Sequence, residues 1–140
     1  MYQVGAVPFP RHVSLWYRVD RWRPGNAVQY VFFAVLVGSG GTSYQIRYFL
    51  SGVDAMPYRD NGNVRFVLVR PGAPPQGTWV HFTADLHQDF LQRWGRVPSS
   101  FERLSFAVEA RYEAPTKLNE SIEADVTFDD VFVGWTPAPG

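Results

Sequence analysis

Apolar and polar residues alternate with period two along most of the chain, the pattern of strands with one packed face. Val13, Leu15, Tyr17 and Val19 share one parity, and Trp16, Arg18, Asp20 and Trp22 the other. Ala27 to Val37 is apolar at both parities, which predicts a central strand covered on both sides. Tyr44, Ile46, Tyr48 and Leu50 then alternate with Gln45, Arg47 and Phe49, and Val64, Phe66 and Leu68 with Arg65, Val67 and Val69. Trp79 to Thr83 predicts a further short strand. Leu104, Phe106, Val108, Ala110 and Tyr112 alternate with Ser105, Ala107, Glu109 and Arg111. In the last segment Ile122, Ala124, Val126 and Phe128 alternate with Glu123, Asp125, Thr127 and Asp129. Apolar parity then passes to Val131 and Val133, which predicts a bulge at Asp129 and Asp130.

Turn chemistry separates these segments. Pro24-Gly25-Asn26 and Gly38-Ser39-Gly40-Gly41 end strands, Asp60-Asn61-Gly62-Asn63 signals a hairpin, and Pro71 to Gly77 reads as a loop. One helix interrupts the series: Asp85 can cap it, Leu86, Phe90 and Trp94 recur at four-residue spacing, and Gly95 can end it. Strands with loops between them and one short helix predict an all-β, antiparallel sandwich or barrel. Residues 1–135 read as one β-sandwich domain and 136–140 (Thr-Pro-Ala-Pro-Gly) as a linker-like tail. With Pro8 and Pro10 near the start, both ends suggest a module from a larger chain.

The 140 residues are 46% hydrophobic with zero formal net charge, so the chain can build a core and has no overall field toward nucleic acid or anionic membrane. Cysteine is absent, which removes disulfides, thiolate metal sites and a cysteine nucleophile. Met1-Tyr2-Gln3-Val4 does not open a signal peptide, and the longest apolar run, Val31 to Val37, is too short to span a bilayer. His12, His81 and His87 form no metal-binding pair at helical or strand spacing. No nucleophile elbow is present, and the glycine-rich Gly38 to Ser43 segment lacks the lysine of a phosphate loop. Glu109, Glu123, Asp125 and Asp129 could serve a hydrolase or lyase, but nothing in their spacing singles out a pair. The sequence therefore reads as non-catalytic.

Trp79-Val80-His81-Phe82-Thr83-Ala84-Asp85-Leu86, the short helix, the strand from Leu104, and Val126-Thr127-Phe128-Asp129-Asp130-Val131 together resemble the ending of galactose-binding-like jelly rolls. The resemblance covers about residues 78–133, and the first half agrees only in strand pattern. It implies a jelly-roll β-sandwich, like the carbohydrate-binding modules of extracellular or cell-surface bacterial proteins. It also implies a structural calcium held by Asp129 and Asp130 with donors from the first strand. No carboxylate-bearing strand is evident before Arg11, however, and the alternative is that one aspartate caps the bulge while the other is solvated.

Sugar binding needs aromatic rings for the C–H face of a pyranose and fixed polar groups for its hydroxyls. Trp16, Arg18, Gln45, Arg47, Arg65, Glu109 and Arg111 all fall on the non-core parity and are the expected ligand-binding residues. Trp22 and, in a loop after Pro57, Tyr58 join them as exposed-ring candidates. Trp79, Phe90, Trp94 and Phe128 are expected to pack in the core, and Trp135 to staple the terminus. Four arginines beside one glutamate on a single face would favour an acidic saccharide. Alternating arginine and glutamate also suits a merely solvated sheet. The rival function is a structural or protein-interaction domain of a larger surface protein.

Overall fold

The computed structural model describes residues 2–7, 10–25, 27–98, 101–113 and 122–134. In chain order the strands are β1 (Tyr2–Val7), β2 (His12–Arg23), β3 (Val28–Ser39), β4 (Thr42–Ser51), β5 (Val64–Leu68) and β6 (Trp79–Asp85). Helix α1 (Leu86–Trp94), β7 (Phe101–Glu113) and β8 (Glu123–Gly134) follow. A five-stranded sheet, ordered β1-β7-β3-β4-β5, faces a three-stranded sheet, ordered β6-β2-β8. The protein is an all-β sandwich with one short helix.

β3 lies between β7 and β4, as its two apolar parities require. Val31, Phe33, Val35 and Val37 point between the sheets and meet Val13, Leu15, Tyr17 and Val19 of β2 in one core. Ile46, Tyr48 and Leu50 of β4 and Leu86 and Phe90 of α1 complete it. The opposite parity, Tyr30, Phe32 and Ala34, joins Phe49 in a second buried cluster on the outer side of the five-stranded sheet. Buried polar groups tie the layers together: Gln29 Nε2 donates to the Glu123 carbonyl at 3.1 Å, and the Tyr48 hydroxyl to Asp89 at 2.7 Å.

Ser39 pairs with Thr42 across Gly40 and Gly41, whose φ values of 58° and 80° give the two left-handed positions of a two-residue hairpin turn. The Asp60–Asn63 signal also forms a tight turn, closed by reciprocal bonds of 2.9 Å between Asn61 and Val64. It does not make a hairpin of β4 and β5, however. Those two strands run parallel, a departure from the fully antiparallel expectation, because the segment 52–63 crosses over the outer face before β5 begins. Val53, Met56 and Tyr58 of that crossover pack onto the second cluster. Apolar surface on both sides of β3 explains why: a simple hairpin would leave those rings in water.

The helix follows its sequence signals. Asp85 accepts the Gln88 N–H at 2.8 Å, and Gly95 at φ 73° closes the other end through a 2.8 Å bond to Leu91. Burial alone would raise the Asp85 pKa, but the Gln88 N–H and the Arg11 guanidinium together hold it below its usual value. Ionised Asp85 therefore stabilises the fold above the ordinary carboxylate pKa of about 3.9, and that contribution is lost as pH falls through the lowered folded-state value. Asn keeps the cap but not the charge. Asp85→Asn should thus lower stability near neutral pH and match the parent protein at the acid end of a pH series of denaturation curves.

Gly52 is the most constrained turn residue. At φ 113° an added Cβ would lie 2.5 Å from the Gln29 carbonyl oxygen, 2.7 Å from Tyr30 Cα and 2.9 Å from Trp22. Gly52→Ala should cost about 2–5 kcal/mol, since backbone strain and overpacking coincide. Thermal denaturation should register a fall in Tm of roughly 6–15 °C.

Candidate functional site

The sandwich divides the expected ligand-binding residues among several surfaces. Gln45, Arg47, Glu109 and Arg111 share the outer face of the five-stranded sheet, where Ala34 pairs with Arg47, Phe32 with Glu109, and Tyr30 with Arg111. Tyr58 joins them from the crossover. The rings beneath are sealed, with Tyr30 and Phe32 each 2% exposed and Phe49 fully covered. The guanidiniums of Arg111 and Arg47 lie 5.0 and 5.8 Å from the Phe32 centroid, and Tyr58 packs edge-on to Phe49 and Tyr30. Arg47 also donates to Gln45, and Arg111 to Glu109. Burial, then hydrogen bonds with Glu113 and Tyr30, push the Tyr58 phenol well above its usual pKa, so it stays a neutral part of the lid. These polar residues cover the aromatics instead of presenting them.

Arg65 and Trp22 belong to neither sheet's open face. Arg65 donates to the carbonyls of Gly62 and Arg93 at 2.7 and 3.0 Å and lies 5.2 Å over the Trp94 ring. Trp22 is partly buried against the main core, because a register shift after Val19 turns the end of β2 inward. The expected single arginine face therefore does not form. Arg18 is on the three-stranded sheet, Arg47 and Arg111 are on the outer five-stranded face, and Arg65 is beside the helix C-terminus. The charge argument for an acidic saccharide rested on their convergence and loses that support.

Trp16 and Arg18 lie on the outer face of the three-stranded sheet, where pairing with β6 brings His81 opposite Trp16 and Trp79 opposite Arg18. The Trp16 and His81 rings stack at 4.3 Å with planes 11° apart. The Arg18 guanidinium lies 5.0 Å over Trp79 and pairs with Asp20 at 3.0 Å. Each indole is thus braced by a cationic or imidazole neighbour, yet Trp16 remains 38% and Trp79 40% exposed. The expectation that Trp79 packs in the core is corrected: on β6 it is Val80 and Phe82 that meet the core, while Trp79, His81 and Thr83 are exposed. The signal was present, because Trp79 shares parity with two polar residues. Phe90 is buried, and Trp94 and Phe128 pack partly against the core; Trp135 lies outside the described residues.

Next to the Trp16–His81 stack the strands form a recess of about 300 Å³, lined by His12, Val13, Ser14, His81, Thr83, Ala84 and Asp85. His12 and His81, distant in sequence, both line it because β2 and β6 are antiparallel neighbours. Glu109 lies on the opposite sheet from Glu123, Asp125 and Asp129 of β8, so it shares no cleft with them.

Asp129 and Asp130 mark the bulge in β8, where the pairing register shifts between Ser14 and Trp16. Asp130 adopts φ 50°, and its N–H donates to Asp129 Oδ1 at 2.9 Å. Calcium takes six to eight oxygens. Among the described residues no group of three or more His, Asp or Glu side chains assembles, and β1 pairs with β7 in the other sheet. The donor set implied by the family resemblance does not fit this arrangement.

What the fold and this face define is a β-sandwich domain with two exposed indoles on the outer side of its three-stranded sheet. Compared with protein-family models, with curated proteins and with solved structures, the chain matches none. Among the described residues no helix is long and apolar enough to cross a membrane.

The left-handed backbone at Asp130 makes the bulge testable. Asp130→Gly should leave stability within about 0.5 kcal/mol of the parent, whereas the β-branched Asp130→Val should cost about 1–2 kcal/mol in urea denaturation.

Proposed function

We propose that this domain is a non-catalytic carbohydrate-binding module whose platform is the outer face of the three-stranded sheet. One observation carries the reading: Trp16 and Trp79 are both exposed on that face, at diagonal positions of neighbouring strands, each braced from one side by His81 or Arg18. A rigid sheet that holds exposed indoles can stack on pyranose C–H surfaces with little ordering cost. Thr83, Thr127 and Asp129 add exposed hydrogen-bonding groups around the rings. On β2 and β8 the exposed Asp20, Asp125, Asp129 and Asp130 offset Arg18, Arg21 and Arg23, so the surroundings carry no excess positive charge and favour a neutral saccharide over an acidic one. The reading takes the sandwich as a jelly roll of the galactose-binding-like kind, within an extracellular or cell-surface protein.

The rival reading, a protein-interaction domain, draws on other exposed side chains. Phe106 and Tyr112 of β7 and Val131 of β8 are 46%, 51% and 38% exposed. Apolar side chains of that size suit a protein interface. Sedimentation or size-exclusion mass separates the two: a stable assembly dispersed by Phe106→Ser favours the rival.

Affinity electrophoresis through gels containing neutral and acidic polysaccharides tests the sugar reading. Retardation is expected on at least one neutral polymer, with Trp16→Ala and Trp79→Ala each weakening it about tenfold or more, as loss of a stacking ring implies. Arg47→Ala and Arg111→Ala should leave retardation unchanged. Loss on the arginine variants with none on the tryptophan variants would move the site to the other sheet, and no retardation on any polymer would sink the reading.

A further inference from the structure

We infer that the recess beside the Trp16–His81 stack is the subsite for the terminal residue of a neutral saccharide, so that the domain recognises chain ends. This rests on the reading of the three-stranded face given above. Three features of the recess, independent of the exposed indoles, point to it.

The first is position. The register pairs Arg18–Trp79, Trp16–His81, Ser14–Thr83 and His12–Asp85 follow one another along β2 and β6, a track of about 20 Å at strand rise. It opens with the aromatic pairs and stops at the His12–Asp85 pair. There β6 ends in α1, the Leu86 N–H donates to the Arg11 carbonyl at 2.6 Å, and the Arg11 side chain bridges to Asp85 at 3.2 Å. A polymer lying along the indoles can continue past Trp79, but it meets an ion pair at the other end.

The second is chemistry. Ser14 and Thr83, paired directly across the strands, bring two hydroxyls to the recess, each able to donate and accept; Thr83 is exposed and Ser14 is largely buried at its floor. His12 and His81 add imidazoles, which in the neutral form carry one donor and one acceptor. Such groups match vicinal sugar hydroxyls. Asp85 is already occupied by the Gln88 N–H and Arg11, so it serves as wall and not as reader.

The third is size. At about 300 Å³ the recess lies at the small end of the range for ligand sites, about 300–1,000 Å³, and suits one sugar ring better than a chain segment.

The histidines provide the readout. The chain has three, of which His12 and His81 line the recess, while His87 is half-buried on the helix and does not line it. Proton–carbon NMR of the whole domain follows their ring resonances during titration. The probes are methyl glycosides of glucose, galactose, mannose, xylose and N-acetylglucosamine, and the β-1,4-linked hexasaccharide of each series. At least one methyl glycoside should move His12 and His81 saturably and leave His87 in place. Its hexasaccharide should bind one protein per chain, no more than about tenfold tighter. Thr83→Val, at an exposed position, should weaken both about tenfold without changing Tm. Hexasaccharide binding that spares the His12 resonance, or places several proteins on each chain, overturns the end subsite and leaves the module reading intact. No response to any probe overturns both.

Discussion

The whole arrangement depends on β3 being apolar on both faces. A strand with Val31, Phe33, Val35 and Val37 on one side and Tyr30, Phe32, Ala34 and Leu36 on the other has no side to give to water. Each buried aliphatic or aromatic side chain contributes about 1.5–3 kcal/mol, so leaving either row exposed would forfeit much of the net stability of a small domain. Two covers are therefore needed. The three-stranded sheet provides one. The crossover 52–63, together with the long side chains of Arg47 and Arg111, provides the other.

That second cover decides where a ligand can bind. Arginines over Phe32 bury their stems on the ring and keep their charge at the surface, which is how a polar residue seals an apolar cluster. The outer five-stranded face is consequently closed, although its sequence pattern looks like a binding surface. The three-stranded sheet has only one face committed to the core. Its outer side is free to carry Trp16 and Trp79, and antiparallel pairing with β6 supplies the braces that hold them. An open aromatic face is thus the counterpart of a closed one, both following from how the core is covered.

Charge follows the same division. Each arginine of the expected cluster is engaged locally: Arg18 with Asp20, Arg111 with Glu109, Arg47 with Gln45, and Arg65 with backbone carbonyls. A guanidinium already serving a neighbour offers less to an anionic ligand than one poised in an empty cleft. The exposed aspartates of β2 and β8 border the open face. Both facts turn the proposed ligand from an acidic saccharide to a neutral one.

Period-two alternation was enough to locate most strands, and capping chemistry to bound the helix, because both report local geometry that a chain carries with it. The bulge at Asp129–Asp130 was legible in the same way, as a switch of apolar parity. Trp79 was misread although its parity companions His81 and Thr83 are polar, since a large aromatic suggests burial more strongly than its neighbours suggest exposure. What no local pattern could supply was which strands share a sheet. Parity suggests that Trp16, Arg47 and Arg65 all avoid the core side of their strands, but β5 packs on both faces. Its pairing with β4 sets Arg65 beside Ile46 on the inner side, while Phe66 and Leu68 take the outer one. Only the pairing of strands places the three residues on different surfaces. Alternation is a property of one strand, whereas a face is made by several strands brought together through long-range hydrogen bonds, and that assembly is decided in three dimensions.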